Sequence, residues 1–111
     1  MNDLSKKHCV PCEGKIKPFD KIEVKEMLEE VDENWMLIED KELEKNYVFK
    51  DFKDALNFVN EVGKIAEAEG HHPDINLHDY KKVTIRLSTH AISGLSENDF
   101  ILASKIDGLK D

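Results

Sequence analysis

The chain has 111 residues, 40% of them hydrophobic, which suffices for one core of ordinary size and excludes a second domain. Its 24 acidic and 16 basic residues give a net charge of −8. A negatively charged protein repels the phosphate backbone and gains no free energy from released counterions, so direct contact with nucleic acid is not expected. No stretch approaches the roughly 20 apolar residues of a membrane span, and no apolar secretion signal is visible, so a soluble, cytoplasmic protein is expected.

Residues 1–18 are predicted to form an irregular or loosely packed N-terminal arm, and residues 19–111 a single domain. Two prolines and a glycine interrupt the arm, which shows no periodicity. Cys9 and Cys12, the only cysteines, have the Cys-x-x-Cys spacing of half a zinc site or of a redox motif. Because no second pair follows, the spacing favours a plain arm and leaves a metal or redox role open.

A first helix and a first hairpin follow the arm. Asp20 and Glu23 form a capping box at the start of a predicted helix over residues 20–31, in which apolar residues recur at helical spacing. Two strands are predicted next, over residues 35–38 and 43–49, with a polar turn between them.

The second helix is the clearest element of the sequence. Asp51 can cap its start, and Gly70 is placed to end it. Residues with apolar or small side chains are predicted to form one stripe along it. They are Phe52, Ala55, Leu56, Val59, Gly63 and Ala66.

A second hairpin and a last helix complete the chain. Apolar and polar residues alternate over residues 75–78 and 83–88, which predicts two strands, and Ser96 with Asp99 forms a capping box for the helix after them. The order α-β-β-α-β-β-α predicts an α+β two-layer sandwich, with the helices on one face of a four-stranded antiparallel sheet. Open sheet edges and one uncovered face predict a homo-oligomer, a dimer or tetramer.

Four of the five histidines lie within residues 71–90, and histidine exchanges protons near neutral pH without tuning. His71, His72 and Pro73 stand at the bend after the second helix, where both rings could converge on one cavity. Glu67 precedes His71 by four residues, which is helical contact distance, so its carboxylate could fix the tautomer of His71. The alternative for Glu67 is an ordinary solvated charge.

His90 follows the second hairpin where Gly94 allows a turn, a usual place for a functional side chain. His78 lies beside the hairpin turn, which favours a plain surface residue. A zinc site made of His71, His72 and His90 would need at most one further carboxylate or cysteine, so metal binding stays open but is not favoured. Motifs typical of nucleotide-binding proteins, serine hydrolases and metalloproteases are absent from the sequence.

These residues resemble the pterin-4a-carbinolamine dehydratase family over about residues 20–107. The pattern is a double histidine before proline, a Thr-His pair further on, and then Gly-Leu-x-x-x-Asp. The residues that carry it are Ala66-Glu67, His71-His72-Pro73, Tyr80, Val83, Leu87, Thr89-His90, Gly94-Leu95 and Asp99, with Trp35, Phe49-Lys50-Asp51-Phe52, Ala55 and Phe58 upstream.

The resemblance implies that a 4a-hydroxytetrahydropterin loses water to give the quinonoid dihydropterin, as in tetrahydrobiopterin recycling, without a metal or organic cofactor. The active-site histidines that it implies are His71, His72 and His90, and Glu67 is the predicted carboxylate beside them. The reaction needs an acid for the leaving hydroxyl and a base for the N5 proton, and imidazoles can do both.

A flat pterin ring needs an apolar wall and a few polar groups to orient it. The candidates are Trp35, Pro73, Ser88 and Thr89, although a core position is slightly favoured for Trp35 because large aromatic side chains at strand starts usually pack inward. Two other functions stay open from the sequence. One is a regulatory protein-binding module of the dimerisation-cofactor type, and the other is the handling of a molybdopterin-related pterin.

Overall fold

A computed structural model describes residues 4–9 and 17–109 of the chain. The helices and strands follow the predicted order α-β-β-α-β-β-α, with a short 3-10 turn at Leu4–Lys6 and another at His90–Ile92. In chain order they are α1 (Lys21–Leu28), β1 (Met36–Ile38), β2 (Glu42–Val48), α2 (Phe52–Glu69), β3 (Asp74–His78), β4 (Lys82–Leu87) and α3 (Glu97–Asp107).

The four strands form one antiparallel sheet in the order β1-β2-β4-β3. Each hairpin turns through two consecutive residues with left-handed backbone, Glu39 and Asp40 in the first and Asp79 and Tyr80 in the second. Aspartate tolerates this conformation better than most residues, which suits it to both turns. The predicted fold class, α+β with a four-stranded antiparallel sheet, is confirmed.

The two faces of the sheet differ in chemistry because side chains alternate along each strand. The inner face of the central pair is mostly apolar, since Leu43 is opposite Leu87 and Tyr47 is opposite Val83, all buried. The exception is Lys45, which is buried opposite Ile85. The outer face is mostly polar, although Met36 and Val48 are exposed hydrophobic side chains on it. It carries Glu44, Asn46, Asp74, Asn76, His78, Thr84 and Arg86.

The predicted stripe on α2 divides into two rows that differ in burial. The side chains that α2 buries are those of Ala55, Phe58, Val62 and Ala66. Phe52 and Leu56 are 50% and 41% exposed, because positions 52, 56, 59 and 63 form a neighbouring row at the edge of the buried side, where Val59 is half-buried and still packs against the core. The helix is thus apolar on two adjacent sides, and we call Phe52, Leu56, Val59 and Gly63 its outer row.

Helix α1 is shorter than predicted. The capping box is present, since the Glu23 amide donates to Asp20 at 2.8 Å and the Asp20 amide donates to Glu23 at 3.0 Å. The helix nevertheless ends at Leu28, before the predicted residue 31. Glu29 and Glu30 follow directly, and acidic side chains are unfavourable at the negative end of the helix dipole.

Residues 4–9 of the N-terminal arm pack against α3. Leu4 is 5% exposed and joins the core, while the Lys105 ammonium donates to the carbonyl of Ser5 at 2.7 Å. Apart from the turn at Leu4–Lys6 these residues are irregular, as one alternative of the prediction has it, but they are packed against the domain and not loose. Cys12 lies outside the described residues.

In the described part of the chain, no helix combines the length and apolar character that crossing a membrane requires.

Candidate active site

The site begins where α2 ends. Gly70 adopts a left-handed conformation with φ of 64°, which glycine reaches without the steric cost that a Cβ would add. The amide of His71 then returns to the carbonyl of Ala66 at 3.3 Å. This reversal turns His71 off the helix and toward α3, where its Nε2 lies 2.7 Å from Oδ1 of Asp99.

Asp99 is the centre of the site. Its carboxylate is fully buried at 0% exposure and contacts three groups. Oδ1 faces His71, while Oδ2 accepts from the hydroxyl of Thr89 at 2.7 Å and from the amide of Ser96 at 3.0 Å. The Thr89 proton is committed to Asp99, so the Ser96 hydroxyl is the donor in its 2.8 Å contact with Thr89.

This network assigns the tautomer of His71. Because Asp99 accepts at Oδ1, the ring proton lies on Nε2, which leaves Nδ1 as the nitrogen that can exchange a proton with a ligand. The His71 side chain is only 12% exposed, so its orientation is held by packing as well as by the carboxylate. A histidine held in this way is suited to general acid or base chemistry.

The predicted pairing of Glu67 with His71 is wrong. Glu67 Oε1 instead lies 2.7 Å from Nε2 of His72. The i, i+4 relation requires a continuous helix, and Gly70 breaks it, so that His71 is directed inward and His72 comes back over the last turn. The His72 and Glu67 side chains are 61% and 81% exposed, and the two histidines therefore have different surroundings.

The Glu67→Gln variant should change the turnover of the site only weakly. An exposed ion pair contributes less than about 1 kcal/mol, which corresponds to at most roughly a fivefold change in rate. Steady-state kinetics checks this expectation, with Glu61→Gln as a control on the same helix, because the Glu61 carboxylate also forms a solvent-exposed ion pair, with Lys64 at 2.9 Å. A loss of activity in Glu67→Gln as large as that of a His71 variant would contradict the assignment of Glu67 to His72.

His90 directly follows Thr89, whose hydroxyl belongs to the Asp99 network. The amide of Thr89 donates to the carbonyl of Gly94 at 2.8 Å, which closes a short loop with exposed His90 at its start. A Cβ on Gly94 would lie 2.7 Å from Cβ of Pro18, so a side chain would not fit there. Within residues 4–9 and 17–109, the His90 ring has no hydrogen-bond or ion-pair partner, and it is accessible to a ligand.

The candidate ring-binding residues fall in two places. Pro73 and Ser88 are half-buried beside the histidines in sequence, and Thr89 is buried in the Asp99 network. Trp35 is buried elsewhere, where its Nε1 donates to Asp107 at 2.9 Å. Asp107 lies about 12 Å from Asp99 along α3, at 1.5 Å of rise per residue. The structure therefore places Trp35 in the core and does not bring it to the histidines.

His78 lies on the outer face of the sheet, apart from the His71–Asp99 pair. Its Nε2 is 3.0 Å from the hydroxyl of Thr84, which donates to Asn46 at 2.7 Å. These contacts fit the surface role that the sequence favours for His78.

Sequence reasoning misses the part that Asp99 plays in the site. The sequence indicates Asp99 as the partner of Ser96 in a capping box, and that prediction is correct, since Asp99 accepts from the Ser96 amide. One oxygen of a carboxylate can cap a helix while the other binds a second group. The sequence signal that could have indicated this role is the position of Asp99 in the Gly-Leu-x-x-x-Asp pattern.

Cys9 lies close to this region. Burial, followed by the negative charges of Glu69 and Asp99, raises the pKa of its thiol to about 11, and its Sγ donates to the carbonyl of Asn98 at 3.6 Å. A protonated thiol is a poor nucleophile and a poor metal ligand. Among the residues that the structure describes, no three His, Cys, Asp or Glu side chains are grouped so that they could hold a metal ion.

The fold and the site together define a small α+β protein with a histidine–carboxylate centre suited to proton transfer. Comparison with known proteins extends this description. The family model for pterin 4 alpha carbinolamine dehydratase matches residues 17–109, and the chain belongs to this family.

Two relatives carry the provisional name pterin-4-alpha-carbinolamine dehydratase. The protein from Halorhodospira halophila is 49% identical and that from Alkaliphilus metalliredigens 46% identical, each with 96% of both chains covered. The crystal structure of a transcriptional coactivator/pterin dehydratase from Brucella melitensis has a TM-score of 0.74 and 28% identity, covering 81% of this chain and 95% of that one. A pterin dehydratase-like RuBisCO assembly factor of the alpha-carboxysome, 22% identical with a TM-score of 0.56 over 67% of this chain and 86% of that one, shares the fold.

Proposed function

We propose that this protein is a 4a-hydroxytetrahydropterin dehydratase that releases water and the quinonoid dihydropterin, as in tetrahydrobiopterin recycling. The observation that carries the proposal is the buried carboxylate of Asp99, which binds His71 through one oxygen and Thr89, the neighbour of His90, through the other. The Asp99 carboxylate thus links the chain segments that carry His71 and His90. Membership of the family supplies the substrate class.

The reaction requires two proton transfers. The C4a–O bond breaks as a general acid protonates the leaving hydroxyl, which departs as water. A base takes the proton from N5, and the electron pair that stays on N5 forms the C4a=N5 double bond. One proton is given and one is taken, so no external oxidant or reductant is needed.

The two transfers are assigned to His71 and His90. His71 offers Nδ1 because Asp99 holds its Nε2, and the exposed ring of His90 is accessible to the substrate. His72, oriented by Glu67, binds and orients the pterin together with Pro73. Imidazole is suited to both directions of transfer, since its ordinary pKa of about 6.5 is close to neutral pH.

Catalysis by this site should need no added metal. Both proton transfers are done by imidazoles, and the substrate carries no carbonyl or phosphate at the reacting centre that a Lewis acid would have to polarise. Prolonged dialysis against a chelator should leave the dehydration rate unchanged. Loss of activity that zinc restores would contradict this mechanism and would make the three histidines candidate ligands.

We also propose that the protein is a homo-oligomer, a dimer or tetramer. β1 and β3 leave open edges on the sheet, and the outer row of α2 exposes Phe52 and Leu56, both of which favour association. Light scattering should give at least twice the 12.8 kDa chain mass. Leu56→Lys should lower that mass, and Lys53→Glu, an exposed control on α2, should not. A monomeric wild-type protein would contradict the proposal.

A second candidate function is the binding of another protein, and the same outer row of α2 favours it. The Brucella melitensis relative is described as a transcriptional coactivator as well as a pterin dehydratase. A stoichiometric partner that is lost in Leu56→Lys, together with no acceleration of pterin dehydration, would favour this function over the enzyme.

A further inference from the structure

Residues 4–9 of the arm connect the two elements that hold the His71–Asp99 pair. We propose that Glu69 is a positioning residue, which anchors this arm so that the end of α2 is held in place against α3. The expected effect of Glu69 on catalysis rests on the proposed dehydratase function. The anchoring itself can be measured without a substrate.

Glu69 is the last residue of α2, and its side chain is 6% exposed. Oε1 accepts from the amide of Cys9 at 2.8 Å, and Oε2 lies 3.0 Å from Nδ1 of His8. The ammonium of Lys105 on α3 is 3.7 Å from the same oxygen. A carboxylate with so little exposure is costly to bury unless it is paired in this way.

The arm is attached to α3 along its whole described length. Leu4 is buried in the core, and Lys105 donates to the carbonyl of Ser5. At the other end, Lys7 pairs with Glu97 at 2.8 Å in the first turn of α3, and the thiol of Cys9 contacts the carbonyl of Asn98. The arm therefore crosses from the last half of α3 to its start.

The attachment points flank the catalytic pair. Glu69 precedes His71 by two residues, and Asn98 adjoins Asp99 in the chain. The 2.7 Å contact between His71 and Asp99 spans the same gap that the arm bridges through Cys9. Loss of the anchor would let the end of α2 and the start of α3 move relative to each other.

The electrostatics agree with a docked arm. Burial acts to raise the pKa of Glu69, but hydrogen bonds from the Cys9 amide and His8 and the charge of Lys105 outweigh it and lower the pKa. The thiol of Cys9 has its pKa raised to about 11 from an ordinary 9.0, first by burial. Near pH 8 the docked thiol should therefore react more slowly than a free one. Because the charge of Glu69 contributes to the raised pKa, alkylation is interpreted together with the His71 signal, which reports on docking without this contribution.

The experiment uses the full-length chain with Cys12→Ser, in which Cys9 is the one remaining thiol. Glu69→Ala is compared with Glu61→Ala, which removes a half-exposed glutamate earlier on the same helix. Three quantities are measured: the rate of Cys9 alkylation by iodoacetamide, the ¹H–¹⁵N signal of the His71 imidazole, and kcat and KM for synthetic 4a-hydroxytetrahydropterin.

In Glu69→Ala, alkylation should accelerate and the His71 Nε2–H signal should broaden or disappear. kcat should fall by about 10- to 100-fold with little change in KM, because a displacement of about 1 Å at a catalytic group costs up to that much. Glu61→Ala should match the parent in all three. Parental alkylation and parental His71 signals in Glu69→Ala would overturn the proposal.

If Glu69→Ala does not fold, Glu69→Gln decides the question. Glutamine keeps an acceptor for the Cys9 amide but loses the charge opposite Lys105, so alkylation should still accelerate and the His71 signal should still broaden. Parental values of both would overturn the proposal. A parent chain without dehydratase activity would refute the proposed function alone, since alkylation and the imidazole signals report on the anchor independently.

Discussion

Replacing His71 or His90 with alanine should lower the turnover of a 4a-hydroxytetrahydropterin by about 10²- to 10⁴-fold, the usual contribution of a positioned acid or base. His71 is fixed by Asp99 with Nδ1 left for the substrate, and His90 presents an exposed ring at the start of the neighbouring loop. Because each ring has a separate transfer to make, each single variant should show a loss in kcat.

The matched control is His78→Ala. His78 is the histidine within the second hairpin, and it contacts Thr84 on the outer face of the sheet, so its loss should leave kcat near the parental value. Circular dichroism should show that all three variants keep the fold. Near-parental rates in both His71→Ala and His90→Ala would contradict the assignment of the two proton transfers.

Asp99→Asn should lower kcat by about 10²- to 10⁴-fold as well, although Asp99 need not touch the substrate. The amide oxygen can still accept from Thr89 and Ser96, which directs the NH₂ group at His71 Nε2. That nitrogen then has to accept, and the ring proton moves to Nδ1. The proton is on the wrong nitrogen, and a buried acceptor is lost, which should also cost about 1–3 kcal/mol of stability.

Asp107→Asn separates these two effects. Asp107 belongs to the same helix and also binds buried groups, Trp35 at 2.9 Å and Lys45 at 3.0 Å, but it lies at the opposite end of α3. Asp107→Asn should lower the thermal midpoint without lowering kcat, whereas Asp99→Asn should lower both. Equal kcat values in the two variants would contradict a role for Asp99 in orienting His71.

The sequence was sufficient for the fold where local signals and tertiary packing agree. The capping boxes at Asp20 and Ser96 and the glycine at the end of α2 have local physical causes, and all three mark helix ends in the structure. The alternation in the hairpins likewise reports directly which side of the sheet is buried, as at Val83 and Ile85.

The sequence was insufficient where a contact depends on the direction of the chain after a break. Helical spacing pairs Glu67 with His71, but left-handed Gly70 reverses the chain, so that the partner of Glu67 is His72. The true partner of His71 is Asp99, 28 residues away. A contact of that separation leaves no periodicity in the sequence.

The most direct test of the proposed function is a dehydration assay of the full-length protein with synthetic 4a-hydroxytetrahydropterin. The account predicts that the wild-type protein accelerates formation of the quinonoid dihydropterin well above the buffer rate. It also predicts that His71→Ala combined with His90→Ala returns the rate nearly to that of buffer. A folded wild-type protein that leaves the buffer rate unchanged, or a double variant as fast as the wild type, would contradict it.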